Sequence, residues 1–369
     1  MAITKVSPSV VENQVVGRRN LVINGDMRVY QRNSSTTTSN TFVVDRFKTD
    51  YLGGTLTTTR ESLSSSDTPY THGFRNSVKL TNTSAGSTAA SDFRRLGQTI
   101  EAQDLANSGW NYTSATSFIT LSFWVKSSLA GTYSGDLYNE DGNQGYHFDF
   151  TLSANTWTKV THSIKGGSGV VINNDNGNGM MVRVMPYLGT NYTTSGATSE
   201  TWATYSSAYI TGDYAQNWAS TASATFEVTG VQLEVGDTAT SFEYRSYAEE
   251  LTLCKRYYQQ ISSLYGHPCW CWATNTCGTT MPLDVEMRTN PTGTYSGGFG
   301  NLQSATNEIG IYRTSFVTVN SMTIASSAPS SNTKLIRLTF ALASSSVATN
   351  DAVGLYIGVD AIIKLDAEL

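Results

Sequence analysis

The chain has 369 residues, of which only 14% are charged, with a net charge of −5 and 20 Tyr, 13 Phe and 7 Trp. Typical soluble chains carry roughly 25% charged residues; here Ser, Thr, Asn and Gly fill the difference. High aromatic content at low net charge excludes a disordered chain, the lack of a basic stripe argues against nucleic acid as a partner, and no apolar run approaches the ~18 residues that would insert in a membrane.

Thr, Val and Tyr suit strands, while Gly, Asn and Ser suit tight turns, so the composition predicts an all-β protein. Residues 1–17 read as a polar arm for assembly or attachment. They show neither the apolar core nor the cleavage pattern of a signal peptide, so folding is expected in a cytosol. Asn20–Asp26 reads as an apolar strand running into an Asn24-Gly25 turn. In Ile119–Lys126, the residues Ile119, Leu121, Phe123 and Val125 share one face, and Thr120, Ser122, Trp124 and Lys126 share the other. Further strands are expected at Thr156–Ile164 and at Met180–Met185, the latter stopped by Pro186. Phe226 and Val228 have one parity and Val231, Leu233 and Val235 the opposite one, which predicts a β-bulge at Gly230.

Ser246 and Glu249 have capping-box spacing, and Tyr247, Leu251, Cys254 and Tyr258 follow at helical intervals. This predicts a helix over Tyr247–Gln260 whose apolar stripe is buried. Beyond it the strands resume. Ile336, Leu338, Phe340 and Leu342 share a face, as do Val353, Leu355, Ile357, Val359 and Ala361. Residues 261–369 carry five Lys or Arg and seven Asp or Glu, which leaves little electrostatic protection against self-association and favours an obligate oligomer. The cysteines at 254, 269, 271 and 277 lack zinc-site spacing and read as small buried thiols in a reducing compartment.

Two segments carry a resemblance. Asn20-Leu-Val-Ile-Asn-Gly-Asp-Met-Arg-Val-Tyr-Gln-Arg32, with Val44-Asp-Arg46, resembles the start of a family of phage tail-fibre and virion proteins, many from marine phages and cyanophages. Val231-Gln-Leu-Glu-Val-Gly236 and the stretch from Ala239 to Tyr258 look like that family's closing strand and helix. Between them, Leu121–Lys126 and Asn155–Val160 resemble strands of carbohydrate-binding jelly rolls. The resemblance covers about residues 17–260. It implies an N-terminal arm (1–17), a jelly-roll β-sandwich (18–245), a short linking helix (246–260) and a second, C-terminal β-sandwich-like domain (261–369).

The implied function is that of a bacteriophage virion protein, a homotrimeric tail fibre or short appendage. It would join other virion proteins through its arm and bind a host surface glycan. The alternatives are a purely structural component, such as a capsid decoration or adaptor, and a polysaccharide-degrading enzyme. Catalysis finds little support: the four histidines are scattered, no nucleophile motif is present, and Asp136, Glu140 and Asp141 read as a solvated turn. The glycan candidates are Trp124 and Lys126, on the strand face opposite the core, and Trp202, Tyr205, Tyr209, Tyr214 and Trp218, in an aromatic loop over Ser199–Ser220. Trp270 and Trp272 alternate with Cys269 and Cys271 and read as core or interface packing. No cofactor is expected, although related jelly rolls can hold a structural calcium near the position of Asp26, where sequence supplies one ligand of the six to eight required.

Overall fold

Strand Phe118–Ser127 shows how the larger unit is built. Ile119, Leu121, Phe123 and Val125 all lie in the main core, in the expected alternation. The strand sits in a six-stranded antiparallel sheet in the order Ser35–Thr36, Thr55–Ser62, Asn76–Ser84, Thr225–Val235, Phe118–Ser127 and Thr158–Lys165. Facing it is a seven-stranded sheet in the order Ala203–Thr204, Gln144–Leu152, Gly131–Asn139, Asn178–Leu188, Phe93–Glu101, Phe47–Leu52 and Thr41–Val44. The chain alternates between the sheets, and apolar residues of both form one shared core. The computed structural model describes residues 18–32, 34–84, 88–197, 199–208, 210–299, 308–326, 333–343 and 347–369. The expected arm and Tyr209 lie outside the described residues. By internal contacts the chain divides into two units, Met1–Glu250 and Leu251–Leu369.

The expected bulge is present. The ladder between Thr225–Val235 and Phe118–Ser127 shifts register between Thr229 and Gln232, and Gly230 takes φ +64°. Val228 and Val231 thereby both reach the core. A Cβ at Gly230 would fall 2.6 Å from the Phe74 ring. Pro186, by contrast, does not stop its strand, which runs over Asn178–Leu188. The ladder to Phe93–Glu101 shifts between Val184 and Tyr187, so proline sits in an irregularity where no ladder donor is required.

Asn20–Asp26 is not a strand but a buried run of bends and turns. Side chains replace the ladder. The Val22 N–H donates to Asn20 Oδ1 at 3.0 Å and the Ile23 N–H to Gln98 Oε1 at 2.8 Å, and Gln98 Nε2 donates back to the Ile23 carbonyl at 2.7 Å. The Asn24 N–H donates to Glu250 Oε1 at 2.5 Å. With Asn24 at φ +60°, the turn enters too early for extended pairing. The segment is stitched to the closing strand: Asn20 Nδ2 donates to the Val231 carbonyl at 3.1 Å, and the Leu233 N–H donates to Asn20 Oδ1 at 3.0 Å. Arg245 bridges Glu243 and Glu250 and donates to the Asn20 carbonyl. The first and last parts of the resemblance are therefore one interlocked structure.

The capping box forms reciprocally, with the Ser246 N–H donating to Glu249 Oε2 at 2.7 Å and the Glu249 N–H to Ser246 Oγ at 3.2 Å. The helix spans Tyr247–Lys255 and stops five residues short of Gln260. Tyr258–Ile261 instead pairs with Ile362–Asp366, because a sheet edge offers these backbone groups a partner. Tyr247 is exposed rather than part of a buried stripe. Among the described residues no helix is long and apolar enough to cross a membrane.

The second unit is also all-β. A three-stranded sheet (Tyr258–Ile261, Ile362–Asp366, Thr292–Ser296) accompanies an eight-stranded one whose main path is Gly298–Phe299, Glu308–Tyr312, Ala352–Ile357, Leu264–Ala273, Thr276–Pro282, Leu335–Leu342 and Val319–Ser326. Ile336, Leu338, Phe340, Leu342, Val353, Leu355 and Ile357 enter its core as expected, but Val359 is exposed in the turn after its strand. Cys271 and Cys277, opposite each other in the ladder, form a disulfide. The thiol expectation is corrected for this pair, because hairpin register places their side chains side by side. Cys254 and Cys269 take no part in a disulfide and are buried.

Candidate functional site

The outer face of the seven-stranded sheet carries a row of polar groups set by ladder register. Lys48 lies opposite Gly97, Gly97 opposite Arg183, Arg183 opposite Asp136 and Asp136 opposite His147. Gly97 makes room for its neighbour, since a Cβ there would fall 2.8 Å from Arg183 Cγ. Asp136 accepts from Arg183 at both carboxylate oxygens, with Nε to Oδ1 at 2.8 Å. Burial works against the Arg183 charge, but Asp136 and Tyr205 together outweigh it and hold the guanidinium above its ordinary pKa. The reading of Asp136 as part of a solvated turn is corrected: it is 2% exposed. Glu140 and Asp141 do lie at the turn, accepting from Asn178 and Asn173.

The chain between the strands ending at Leu188 and beginning at Thr225 folds back over this face. Tyr205 packs on Tyr138 with ring centroids 4.0 Å apart and the rings tilted by 35°. Met185, Leu188 and Ile210 form a small apolar cluster beneath it, flanked by Tyr192, Tyr205 and Tyr214. Between loop and sheet lies a cleft of about 390 Å³, walled by Asp136, Tyr146, His147, Thr194, Thr201 and Tyr205. His147 is buried, and its Nε2 has no hydrogen-bond partner. A buried polar atom left unmatched is costly and marks a place where a ligand group can bond. Burial lowers the His147 pKa, and the nearby carboxylates of Asp149 and Asp136 only partly oppose it. The imidazole is thereby kept neutral, able to donate or accept toward a hydroxyl. Sequence parity could have found this residue, since Tyr146, Phe148, Phe150 and Leu152 take the core face and leave His147 and Asp149 on the other.

His162 is shifted the same way, by burial first, against Glu200 and Asp149. Both folded-state pKa values lie below the unfolded value of roughly 6.5, so the unfolded chain binds protons more readily. Stability contributed by the two neutral imidazoles is present above pH ~6.5 and is lost as pH falls through the folded values. Melting temperature should therefore drop between pH 7 and pH 5, and the drop should shrink in His147→Gln. A flat profile would contradict the neutral assignment.

The expected glycan residues scatter. Tyr205 lines the cleft. Trp202 sits at the loop's edge, its Nε1 donating to the Lys165 carbonyl at 2.7 Å and its ring 5.4 Å from Tyr146. Tyr214 lies beneath the loop, its hydroxyl donating to the Met185 carbonyl at 2.9 Å, and burial raises its pKa. Trp218 is 0% exposed, in the main core, donating to the Thr225 carbonyl at 3.1 Å. It cannot stack on a ligand; the loop region contains its own anchor, which alternation does not reveal.

Trp124 does lie on the outer face, but it is 9% exposed and packed with Leu63, Phe74 and Trp157. It lines a second cavity, of about 510 Å³, beneath Phe242 and Tyr244, and the expected open platform is covered by the chain itself. Lys126 is engaged by Glu227 at 3.2 Å and Asp67 at 3.6 Å, over the Trp157 ring. Asp26 pairs with Arg28, and among the described residues no group of three or more His, Cys, Asp or Glu could hold a metal ion.

No protein-family model matches the chain, and no curated protein matches it. Among solved structures, the enzymatically active domain of tailspike protein 4 of bacteriophage CBA120 is 12% identical over 59% of this chain, at a TM-score of 0.33. This chain spans 21% of that one. A "putative sugar binding protein" of Bacteroides thetaiotaomicron is 14% identical over 59% of this chain and 100% of its own length, at 0.30. The family 11 carbohydrate-binding module of Clostridium thermocellum is 11% identical over 57% and 98%, at 0.28. Likeness at this level carries no argument about function, and the site is read from its own geometry.

Proposed function

We propose that this chain is a non-enzymatic glycan-binding protein of a bacteriophage particle, displayed as a homotrimeric tail fibre or short appendage. The observation that carries the binding role is the cleft between the seven-stranded sheet and its covering loop, where the unpartnered His147 Nε2 stands beside Asp136 and Tyr205. Such a pocket matches a sugar, which offers hydroxyls to polar groups and apolar ring faces to aromatics. The virion role is supported by the segments that resemble phage fibre proteins, which interlock through Asn20, Arg245 and Glu250. Sparse charge in residues 261–369 supports self-association.

The test is binding of the purified full chain to host envelope polysaccharide, with competition against phage adsorption. Parent protein should bind and compete. His147→Ala and Tyr205→Ala should each weaken binding about tenfold, the effect of one or two lost polar or stacking contacts, with the unfolding transition retained. Equal binding by both folded variants would remove the cleft from the reading. Release of reducing sugar by the pure protein would replace binding with hydrolysis.

A further inference from the structure

The outer face of the eight-stranded sheet holds a second aromatic site. Cys269 and Cys271 point into the core at 4% and 0% exposure, while Trp270 and Trp272 on the same strand are 52% and 39% exposed. Trp272 lies across the neighbouring strand, where a Cβ at Gly278 would fall 2.6 Å from its Cη2. The Arg337 guanidinium sits over the same indole, 4.9 Å from the ring centroid. Arg337 is exposed, and among the described residues no carboxylate forms an ion pair with it. Trp270, Trp272 and Arg337, with Pro268, Thr280 and Ala352, line an open slot of about 360 Å³.

Three features point to a ligand rather than to a bare surface. Two large indoles are exposed side by side on one strand, where apolar area in contact with water is unfavourable unless something covers it. The slot is held rigidly, since the Cys271–Cys277 disulfide ties its two strands together between the tryptophans. Its principal polar group is the Arg337 guanidinium, a planar fork of donors that matches a carboxylate and that among the described residues has no ion-pair partner.

We propose that this slot binds one carboxylate-bearing sugar residue of an acidic glycan, such as a hexuronate or a sialate. The sugar ring lies against the free indole of Trp270, Arg337 takes the carboxylate, and Thr280 is within the slot for a ring hydroxyl. The site belongs to the second unit and does not depend on the cleft around His147.

The test is calorimetry of the full chain with trigalacturonate, sialyllactose and an alginate trimer, against cellotriose as the neutral control. At least one acidic probe should bind, more weakly at high salt, and cellotriose should bind at least tenfold less well. Trp270→Ala and Arg337→Gln should each weaken the acidic probe at least tenfold, and Arg337→Lys should recover only part of the loss. Both positions are at the surface, and an unchanged melting temperature confirms folding. Failure of all three acidic probes to bind, or unchanged affinity in both variants, overturns the proposal. So does a stable oligomer that Trp270→Ala dissociates, because the face is then a contact between copies of this chain.

Discussion

Asp136→Ala should destabilise the sandwich by about 3–5 kcal/mol, the cost of breaking a buried ion pair by removing one partner. Arg183 is left with its side chain 12% exposed and with the carboxylate that held it gone. Its neighbours on the sheet cannot replace that charge: Gly97 has no side chain, and Arg95 is itself a cation, its pKa lowered first by burial and then by the nearby charge of Arg183. The double variant Asp136→Leu with Arg183→Met should recover most of the loss, because two apolar groups of similar volume need no counter-charge. Denaturant unfolding of parent, single and double variants decides the point. A single variant within about 0.5 kcal/mol of the parent, the size of a neutral surface change, would mean that solvent reaches Arg183 and that the row is not a buried one.

Gly25→Ala should be about as damaging, at roughly 3 kcal/mol, the upper part of the range for overpacking. A Cβ at Gly25 would fall 2.0 Å from the Val231 carbonyl oxygen. That oxygen accepts from Asn20 Nδ2, and the Val231 N–H donates to the Gly25 carbonyl at 2.9 Å. Backbone meets backbone at this point, with no flexible side chain to move aside. The same contact carries the bulge at Gly230, so the closing strand would lose its register as well. Gly212→Ala is the matched control, since nothing lies within 4 Å of its Cβ position; it should be silent. Parity between the two variants would show that the seam around Gly25 opens at little cost.

The sequence by itself determined the fold class and several local features. Alternation placed Ile119 to Val125 and Ile336 to Leu342 on core faces, the parity switch located the bulge at Gly230, and Ser246 with Glu249 marked the helix start. These are short-range signals, written in the period of side chains along one element. It went wrong where satisfaction came from far away. Asn20–Asp26 reads as a strand, but Gln98 and Glu250 bond its backbone across 75 and 226 residues. Tyr258 continues a helical spacing, but a strand more than a hundred residues onward captures it.

The candidate site was less legible for the same reason. Tyr205 stood out as an aromatic in a polar loop, and it does line the cleft. His147, Asp136 and Arg183 come from three strands and become neighbours only through ladder register, which no single strand records. Trp124 looked like a platform because alternation tells which face a residue takes and not what later covers that face, and Trp218 because an aromatic in a polar loop reads as exposed. Residues 63–74 and 242 cover Trp124, and the core encloses Trp218. Periodicity decides the side of a sheet, and only tertiary packing decides whether that side meets solvent.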